Sequence, residues 1–455
     1  MEHYGFISLI PAASVLLLAL ITKRTFEALI GGTLIGFLIV GKQDFFGKFA
    51  DSALNVMSDP TIGWIILVCG LFGSLIAMLI KSGGALAFGN HVEKFVKGKK
   101  SALMTTWVLG LIIFIDDYLN ALTVSSAMRR VTDKHRTSRE MLAYVVDSTA
   151  APVCVLLPFS TWAIFVAGLL ETSGAASKGN GLTVYISAIP YMLYAWVAVI
   201  MVPLVAMRIL PRFRSMKKAE RRAEEEGIVV PPGSENAGLV GEDVAPAAKD
   251  SPKLYNFLLP IVVLIFATWY FGVDAFKGVL VAIALAIVLY LVQRIMSLTE
   301  IFDAFFEGFK SMIFPLAIVI ASFMLKDVND ALGLTSYIIE SVEPFMSVSM
   351  LPVVAFLSLS LVTFATGSFW GVYAVALPIV IPLAQSMGAN LPLAIGAVIS
   401  AGAFGSHACF YGDSTVLSAA GCGCSNIDHA VTQLPYALLG AAVASVLFVV
   451  AGVAF

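Results

Sequence analysis

The amino-acid sequence predicts an all-α polytopic membrane protein. Of its 455 residues, 59% are hydrophobic and only 13% are charged, and the mean hydropathy is +0.91. Soluble domains carry about 25% charged and about 45–50% apolar residues, so an ordinary globular enzyme is excluded. Long apolar runs recur along the chain, and several approach the ~20 residues that a helix needs to span a bilayer. The formal net charge of −2 gives no electrostatic basis for binding nucleic acid, and the five cysteines form no disulfide framework.

The first apolar run covers residues 6–21 and is followed by the basic pair Lys23 and Arg24. A secretory signal has its positive charge before the apolar core, so we expect this run to remain as a membrane span. Basic residues concentrate on the cytoplasmic side of a membrane protein, which predicts that the N-terminus lies outside. Two further spans are predicted at 26–40 and 61–80.

Segment 101–128 is apolar but has a basic stretch at each end, with five Lys or Arg residues in each stretch. Both ends should therefore face the cytoplasm, which a single span cannot satisfy. A re-entrant hairpin resolves the conflict, and its tip is predicted at 115–120, where Asp116, Asp117 and Asn120 would lie at membrane depth. Non-helical backbone at that depth is tolerated where it lines protein or a water-filled cavity. The alternative is a water-exposed loop between two short helices.

Segment 141–170 is predicted to cross outward as a helix that breaks between Asp147 and Pro158. Proline frees backbone carbonyls in the preceding turn, although nearby Ser and Thr side chains could satisfy such a kink without any function. Segment 184–206 then returns to a third basic stretch. Residues 211–253 show no apolar periodicity and contain proline, glycine and scattered acids, which predicts a flexible cytoplasmic linker.

The second half of the chain repeats this order. The predicted elements are plain spans at 256–271, 279–291 and 312–325, a two-armed segment at 347–384, a broken run at 391–420 and a final span at 436–455. Each repeat, 1–210 and 254–455, would hold about five transmembrane helices, with one re-entrant hairpin and one broken helix. Because that number of crossings is odd, the second repeat should be inverted and the C-terminus should lie outside. Inverted repeats with broken helices are typical of secondary transporters.

Polar residues at the predicted breaks are candidate binding groups. A carboxylate at the bilayer centre costs about 2.5–3.5 kcal/mol on insertion scales, so it usually marks a pathway or an ion site. Carboxylate, hydroxyl and free carbonyl oxygens are the hard ligands that Na⁺ prefers. The candidate ion- or substrate-binding residues are Asp116, Asp117, Asn120, Asp147, Ser148, Thr149, Ser160, Thr161, Thr366, Gly367, Ser368, Asp413, Ser414 and Thr415. The predicted Na⁺ ligands among them are Asp147, Ser148, Thr149, Asp413, Ser414 and Thr415.

His407 lies one or two helical turns before Asp413 and is a candidate proton relay, because histidine titrates near neutral pH. A buried structural histidine explains the same position equally well. Cys422 and Cys424, taken with His429, lack the four-ligand spacing of a zinc site.

An intramembrane aspartyl protease needs two facing aspartates, which Asp147 and Asp413 could supply. However, Tyr144 lies three residues before Asp147 rather than beside it, and Tyr411-Gly412-Asp413 lacks the second glycine of the protease pattern. Proteolysis would also leave the inverted repeat unexplained. The sequence therefore favours a transporter over an enzyme, and no cofactor is expected.

Together these motifs resemble the NhaC family of sodium/proton antiporters, within the broader ion-transporter superfamily. The resemblance is carried by Ile115-Asp116-Asp117-Tyr118, Ser138-Arg139-Glu140, Asp147-Ser148-Thr149-Ala150-Ala151-Pro152, Leu157-Pro158-Phe159-Ser160-Thr161-Trp162, Thr366-Gly367-Ser368-Phe369-Trp370-Gly371 and Gly412-Asp413-Ser414-Thr415. It spans both halves of the chain. It implies a bacterial inner-membrane protein, often a homodimer, with an elevator-like motion of hairpin-bearing domains and with sodium handling at the Ser/Thr-rich breaks.

The resemblance leaves two classes of substrate open. Exchange of Na⁺ for H⁺ is the leading expectation, because Asp116, Asp117, Asp147 and Asp413 are titratable groups close to Ser and Thr oxygens. The alternative is Na⁺-coupled transport of an amino acid such as lysine, methionine or tyrosine, or of a small carboxylate such as malate or lactate.

Overall fold

A computed structural model describes residues 3–22, 24–114, 116–234, 253–342, 347–367 and 369–454. Within these ranges the chain is helical and contains no β-strand. Six of the described helices are long and apolar enough to cross a membrane, or up to eight when each bent pair is counted as one span. The predicted fold class, an all-α polytopic membrane protein, is confirmed. The inverted relation of the two halves stays a prediction.

The described helices fall into two groups, one before and one after the linker. The first half contains α1 Ile10–Thr22, α2 Thr25–Gly41, α3 Phe45–Ser58, α4 Pro60–Lys81, α5 Gly84–Glu93, α6 Lys99–Ile112, α7 Asp117–Lys134, α8 Arg139–Thr149, α9 Ala151–Leu156, α10 Thr161–Thr172, α11 Gly181–Ala188 and α12 Leu193–Ala206. A short helix, α13 Arg214–Arg221, follows. The second half contains α14 Tyr255–Tyr270, α15 Ala275–Val292, α16 Leu298–Ser311, α17 Ile313–Ala331, α18 Leu334–Val342, α19 Leu351–Thr366, α20 Phe369–Met387, α21 Leu391–Ala408, α22 Asp413–Cys422 and α23 Asn426–Ala454.

The first predicted hairpin consists of α6 and α7, which pack against each other on either side of a short non-helical connection. The connection comes slightly earlier in the chain than the sequence predicts, because α7 already begins at Asp117. Asp116 is the N-cap of α7, and its Oδ1 accepts a hydrogen bond from the backbone N–H of Leu119 at 3.0 Å. The placement of Asn120 in the hairpin tip is therefore wrong, because this residue lies in the first turn of α7.

Three further segments are interrupted close to the predicted positions. The segment after Arg139 is divided at Ala150 and again at 157–160, and its two arms are bent by 40°. The second two-armed segment is interrupted at Gly367, which has a φ of +66° in the left-handed region that favours glycine. The last interruption covers residues 409–412, between α21 and α22.

Two spans differ from their predicted form. The segment predicted at 184–206 as a plain span is bent by 53° between Tyr191 and Leu193. Pro190 lies at this bend, where a proline removes a helical hydrogen bond. The final helix, α23, begins at Asn426 rather than at 436 and has 29 residues.

The first part of the predicted linker, 211–253, has regular structure. Residues 214–226 are helical, which differs from the flexible segment that the sequence predicts; residues 235–252 lie outside the described part of the chain. The Glu220 side chain is fully buried, and its Oε2 forms ion pairs with Lys99 Nζ at 2.7 Å and with Arg212 Nη2 at 2.6 Å. The guanidinium of Arg222 forms two hydrogen bonds with the carboxylate of Glu140, at 3.0 and 2.8 Å. We call the side of the protein that carries α13 the linker face.

The two halves pack closely against each other through small residues. Helix α4 crosses α16 where Gly73 faces Gly308, and a Cβ atom added at Gly308 would lie 2.2 Å from the carbonyl oxygen of Gly73. The hydroxyl of Ser74 donates a hydrogen bond to the carbonyl of Phe305 at 2.9 Å. Small residues and hydroxyl groups are the usual means by which membrane helices approach closely.

We predict that Gly308→Ala destabilises the protein, because the new methyl group collides with backbone that cannot move away freely. Overpacking of this kind costs about 1–3 kcal/mol. Gly63→Ala is the matched control, since no atom lies within 4 Å of a Cβ added at Gly63 in α4. Thermal unfolding of the two purified variants in detergent measures the effect, and an equal midpoint for both would contradict it.

We also predict that Glu220→Gln loosens the linker, because Lys99 and Arg212 then lose their buried partner. Breaking a buried ion pair by removing one partner costs about 3–5 kcal/mol. The control is Glu225→Gln, whose side chain is 60% exposed and pairs only with Arg221 among the described ion pairs. Limited proteolysis should cut Glu220→Gln faster within residues 214–234, while the control should behave like the unmodified protein.

Candidate functional site

A buried carboxylate, Asp147, lies at the centre of the candidate site. This residue is on α8 and is 0% exposed. Its Oδ1 accepts a hydrogen bond from Ser414 Oγ at 2.6 Å. Its Oδ2 accepts bonds from Gln433 Nε2 at 2.6 Å and from Thr415 Oγ1 at 3.2 Å, and it lies 3.0 Å from His429 Nε2. We call these five residues the Asp147 cluster.

The helix break before α22 explains how its two hydroxyls reach Asp147. Because the helix restarts at Asp413, Ser414 and Thr415 lie in its first turn. Thr415 Oγ1 also donates to the carbonyl of Ser406 at 2.9 Å, near the end of α21. His429 and Gln433 come from α23, and their spacing of four residues places both on one face of that helix.

His407 occupies a second chain of hydrogen bonds beside this cluster. Its Nε2 lies 2.9 Å from Ser148 Oγ, and its Nδ1 lies 2.7 Å from the hydroxyl of Tyr194. Gln433 Nε2, which bonds to Asp147, also donates to the carbonyl of His407. His407, the predicted proton relay, is therefore buried and hydrogen-bonded through both ring nitrogens. It does not bond to Asp147 directly; Gln433, which bonds to both residues, connects them.

Asp413 is linked to Asp147 through a single residue. Its Oδ2 accepts a hydrogen bond from the hydroxyl of Tyr118 at 2.5 Å. Its Oδ1 accepts from the backbone N–H of Ser414 at 2.8 Å, and the Ser414 hydroxyl in turn bonds to Asp147. The two carboxylates therefore share Ser414, although they belong to different halves of the chain.

The first hairpin contributes two more buried acids. Asp116 Oδ2 accepts a hydrogen bond from Thr161 Oγ1 at 3.1 Å, which connects the hairpin to the start of α10. Asp117 is 2% exposed, and its Oδ2 atom has no hydrogen-bond partner among the described residues. Ser160 is the N-cap of α10 and accepts from the backbone N–H of Ala163 at 3.1 Å.

Several predicted residues have local structural contacts instead. Asn120 Nδ2 lies within hydrogen-bond distance of the carbonyls of Gly110, Ile113 and Thr149, at 2.7, 2.7 and 2.9 Å. The hydroxyl of Thr149 donates to the carbonyl of Val145 at 2.9 Å, within its own helix.

In the second hairpin, Thr366 Oγ1 lies 3.5 Å from the carbonyl of Thr363. A Cβ atom added at Gly367 would lie 2.7 Å from the ring of Tyr411, so only glycine fits there. Ser368 lies outside the described residues.

The structure thus assembles only part of the predicted ligand set. It brings Asp147, Ser414 and Thr415 into direct contact and places Asp413 beside them. It turns Ser148 toward His407 and Thr149 toward its own helix.

Sequence reasoning missed four residues of the site: Tyr118, Tyr194, His429 and Gln433. The last two lie in the first turns of α23, which were left out of the final span because polar residues lower the local hydropathy. Their spacing of four residues is the only signal that could have found them. Nothing in the sequence around Tyr118 or Tyr194 indicates a carboxylate or an imidazole partner.

Four of the helices that begin at interruptions, α7, α10, α20 and α22, differ in the charge of their first turn. Helices α7 and α22 each have an aspartate in the first turn, whereas α10 and α20 have none. The latter two meet through a stack of Trp162 on Phe369, with ring centroids 3.7 Å apart. A helix N-terminus carries roughly half a positive charge. Helices α7 and α22 therefore have acids at their positive ends, whereas α10 and α20 do not.

Buried carboxylates and hydroxyls at the breaks of membrane helices define a class of proteins, the secondary transporters with discontinuous helices. Comparison with known proteins specifies the family. Residues 153–453 match the family model described as the Na⁺/H⁺ antiporter family. An uncharacterized protein of Haemophilus influenzae is 30% identical over an alignment of 487 positions that covers 98% of this chain and 90% of the relative. The chain belongs to the Na⁺/H⁺ antiporter family, a family of multi-pass, ion-coupled transporters that carry Na⁺ and H⁺.

We predict that Ser414→Ala weakens Na⁺ binding, because it removes a hydroxyl oxygen that touches the Asp147 carboxylate. Hydrogen bonds to charged groups contribute about 1.5–3 kcal/mol, which corresponds to about 10–100-fold in affinity. Ser418→Ala is the matched control on the same helix, since the buried Ser418 hydroxyl has no hydrogen-bond partner among the described residues. Titration of both purified variants with NaCl, followed by thermal shift, tests the prediction; equal Na⁺ dependence would contradict it.

Proposed function

We propose that the protein is an NhaC-type antiporter that exchanges Na⁺ for H⁺ at the Asp147 carboxylate. The observation that carries the proposal is the fully buried carboxylate of Asp147, surrounded by polar side chains of α22 and α23. A hydroxyl group can donate a hydrogen bond or offer its lone pairs. Ser414 and Thr415 can therefore donate to the empty carboxylate, or turn and bind Na⁺ together with it.

Competition for one carboxylate couples the two ions. Away from the hydrogen-bond partners that α22 and α23 supply, a carboxylate in a low-dielectric interior is unfavourable, so during transport Asp147 is best occupied by either a proton or a cation. When Na⁺ arrives, the proton leaves Asp147 for the solution; His429 Nε2 lies 3.0 Å from Oδ2 and is placed to take up this proton and pass it on. When Na⁺ leaves, the proton returns. Neither ion then crosses without displacing the other.

The neighbouring acids make the site attractive to cations. Asp413 shares Ser414 with Asp147, and Asp116 and Asp117 lie at the start of α7, next to Tyr118, which bonds to Asp413. Asp117 and Asp413 lie in the first turns of α7 and α22. We propose that Asp116, Asp117 and Asp413 attract ions on their way to the site. The exchange step itself takes place at Asp147.

We place the linker face in the cytoplasm of a bacterial cell, with the protein in the inner membrane and both termini outside. Lys99, Arg212 and Arg222 all contact acids of this face, and basic residues mark the cytoplasmic side. The resemblance to the NhaC family further suggests a homodimer and an elevator-like motion. No cofactor enters the proposed mechanism.

A second candidate function is Na⁺-coupled transport of an organic solute. It is favoured by the N-termini of α10 and α20, which have no acid in their first turns and meet at the stack of Trp162 on Phe369. These positive ends could bind a substrate carboxylate, while the aspartates bind Na⁺ or a substrate ammonium. Counterflow of labelled lysine, methionine, tyrosine, malate or lactate, with and without Na⁺, separates this function from simple ion exchange.

We predict that Asp147→Asn abolishes coupled exchange, because a carboxamide neither titrates nor balances the charge of Na⁺. In proteoliposomes with an imposed pH gradient, added Na⁺ should dissipate the gradient with the unmodified protein and should have no effect with the variant. Asp51→Asn is the control, since this acid on α3 is exposed. Na⁺-dependent dissipation by Asp147→Asn at normal rates would remove Asp147 from the ion site.

A further inference from the structure

A cavity of about 420 Å³ opens on the linker face, between the starts of α2 and α17 and one side of α22. Arg24 and Glu27 line its outer part and form an ion pair at 3.0 Å. Gly233, from the ordered part of the linker, lines it as well. The cavity is therefore bounded by both halves of the chain and by the segment that joins them.

The inner wall of this cavity is the helix that carries the site. Val416 and Ala420 of α22 line the cavity, and they lie four residues apart on one face of the helix. Ser414 and Thr415, in the first turn of the same helix, contact Asp147. A single helix therefore separates the cavity from the Asp147 cluster, and its cavity side is made of small or branched apolar side chains.

A polar residue connects the cavity with the helix break. Asn426 lines the cavity, and its Nδ2 donates a hydrogen bond to the carbonyl of Phe410 within the 409–412 interruption. Its Oδ1 atom is buried and has no hydrogen-bond partner among the described residues. A buried carbonyl oxygen without a donor is unfavourable, and a water molecule or a hydrated cation would satisfy it.

We propose that this cavity is the cytoplasmic entrance of the ion pathway, through which hydrated Na⁺ reaches the Asp147 cluster with Asn426 Oδ1 as an early protein ligand. The inference rests on the proposed exchange function and adds a route to it. The ion passes from the Arg24 side of the cavity along Val416 and Asn426 to the break at 409–412. The first turn of α22, which carries Asp413 and Ser414, then separates it from the site and acts as the inner barrier.

Cysteine labelling tests this route. Val416→Cys and Ala420→Cys are made in a Cys424→Ala background, because Cys424 also lines the cavity. Leu417→Cys is the matched control, since Leu417 is on the same helix but packs into the core and does not line the cavity. A membrane-impermeant, positively charged methanethiosulfonate reagent is applied to right-side-out and to inside-out vesicles, and Na⁺-driven proton movement is measured before and after labelling.

The two cavity cysteines should react in inside-out vesicles at least about tenfold faster than Leu417→Cys, because accessible thiols react selectively. Labelling should abolish exchange at both cavity positions. Reaction only in right-side-out vesicles, no reaction faster than the control, or full exchange after complete labelling would each overturn the proposed route.

The exchange rate before labelling separates the two proposals. Normal exchange before labelling, combined with any of those three outcomes, leaves the proposed function intact and removes the route. Absence of exchange in the unmodified protein removes the proposed function itself, and with it the assignment of this cavity as an ion entrance.

Discussion

The burial of a carboxylate in the interior of a membrane protein is the constraint on which this structure depends. Leaving an ionised Asp147 without partners would be strongly unfavourable, and the protein supplies those partners entirely from the other half of the chain. One side chain therefore links α8, α22 and α23. In the proposed exchange, a proton or a cation on Asp147 would lower the cost of separating these helices, which would link ion occupancy to conformation.

The helix breaks follow from the same constraint. An interrupted helix leaves carbonyls and N–H groups without partners, each costing about 1–3 kcal/mol when buried. Asn120 contacts carbonyls at the end of α6 and at the end of α8, and so connects two interruptions. Asp116 and Ser160 cap the helices that restart nearby. The polar residues of the hairpin and of the broken helix thus form two groups. One group satisfies backbone groups at the interruptions, and the other contacts Asp147 and Asp413.

Sequence patterns located the interruptions well, because an aspartate, glycine or proline inside a long apolar run is visible without any structure. These patterns did not predict the segments whose stability comes from paired polar groups. The polar residues in the first turns of α23 lower the local hydropathy and so do not predict a span there, although His429 and Gln433 are partners of Asp147. The linker around Glu220 was expected to be flexible, because its ion pairs leave no periodic apolar signal. Partners that are distant in sequence, such as Tyr118 and Asp413, could be found only in three dimensions.

Proton release on Na⁺ binding is the sharpest test of whether Na⁺ and a proton compete for Asp147. Purified protein in weakly buffered detergent solution is mixed with NaCl while a pH indicator reports free protons, and choline chloride serves as the salt control. We expect Na⁺ to release protons from the unmodified protein and to release none from Asp147→Asn. Saturable Na⁺ binding without proton release, or equal release from both proteins, would contradict it.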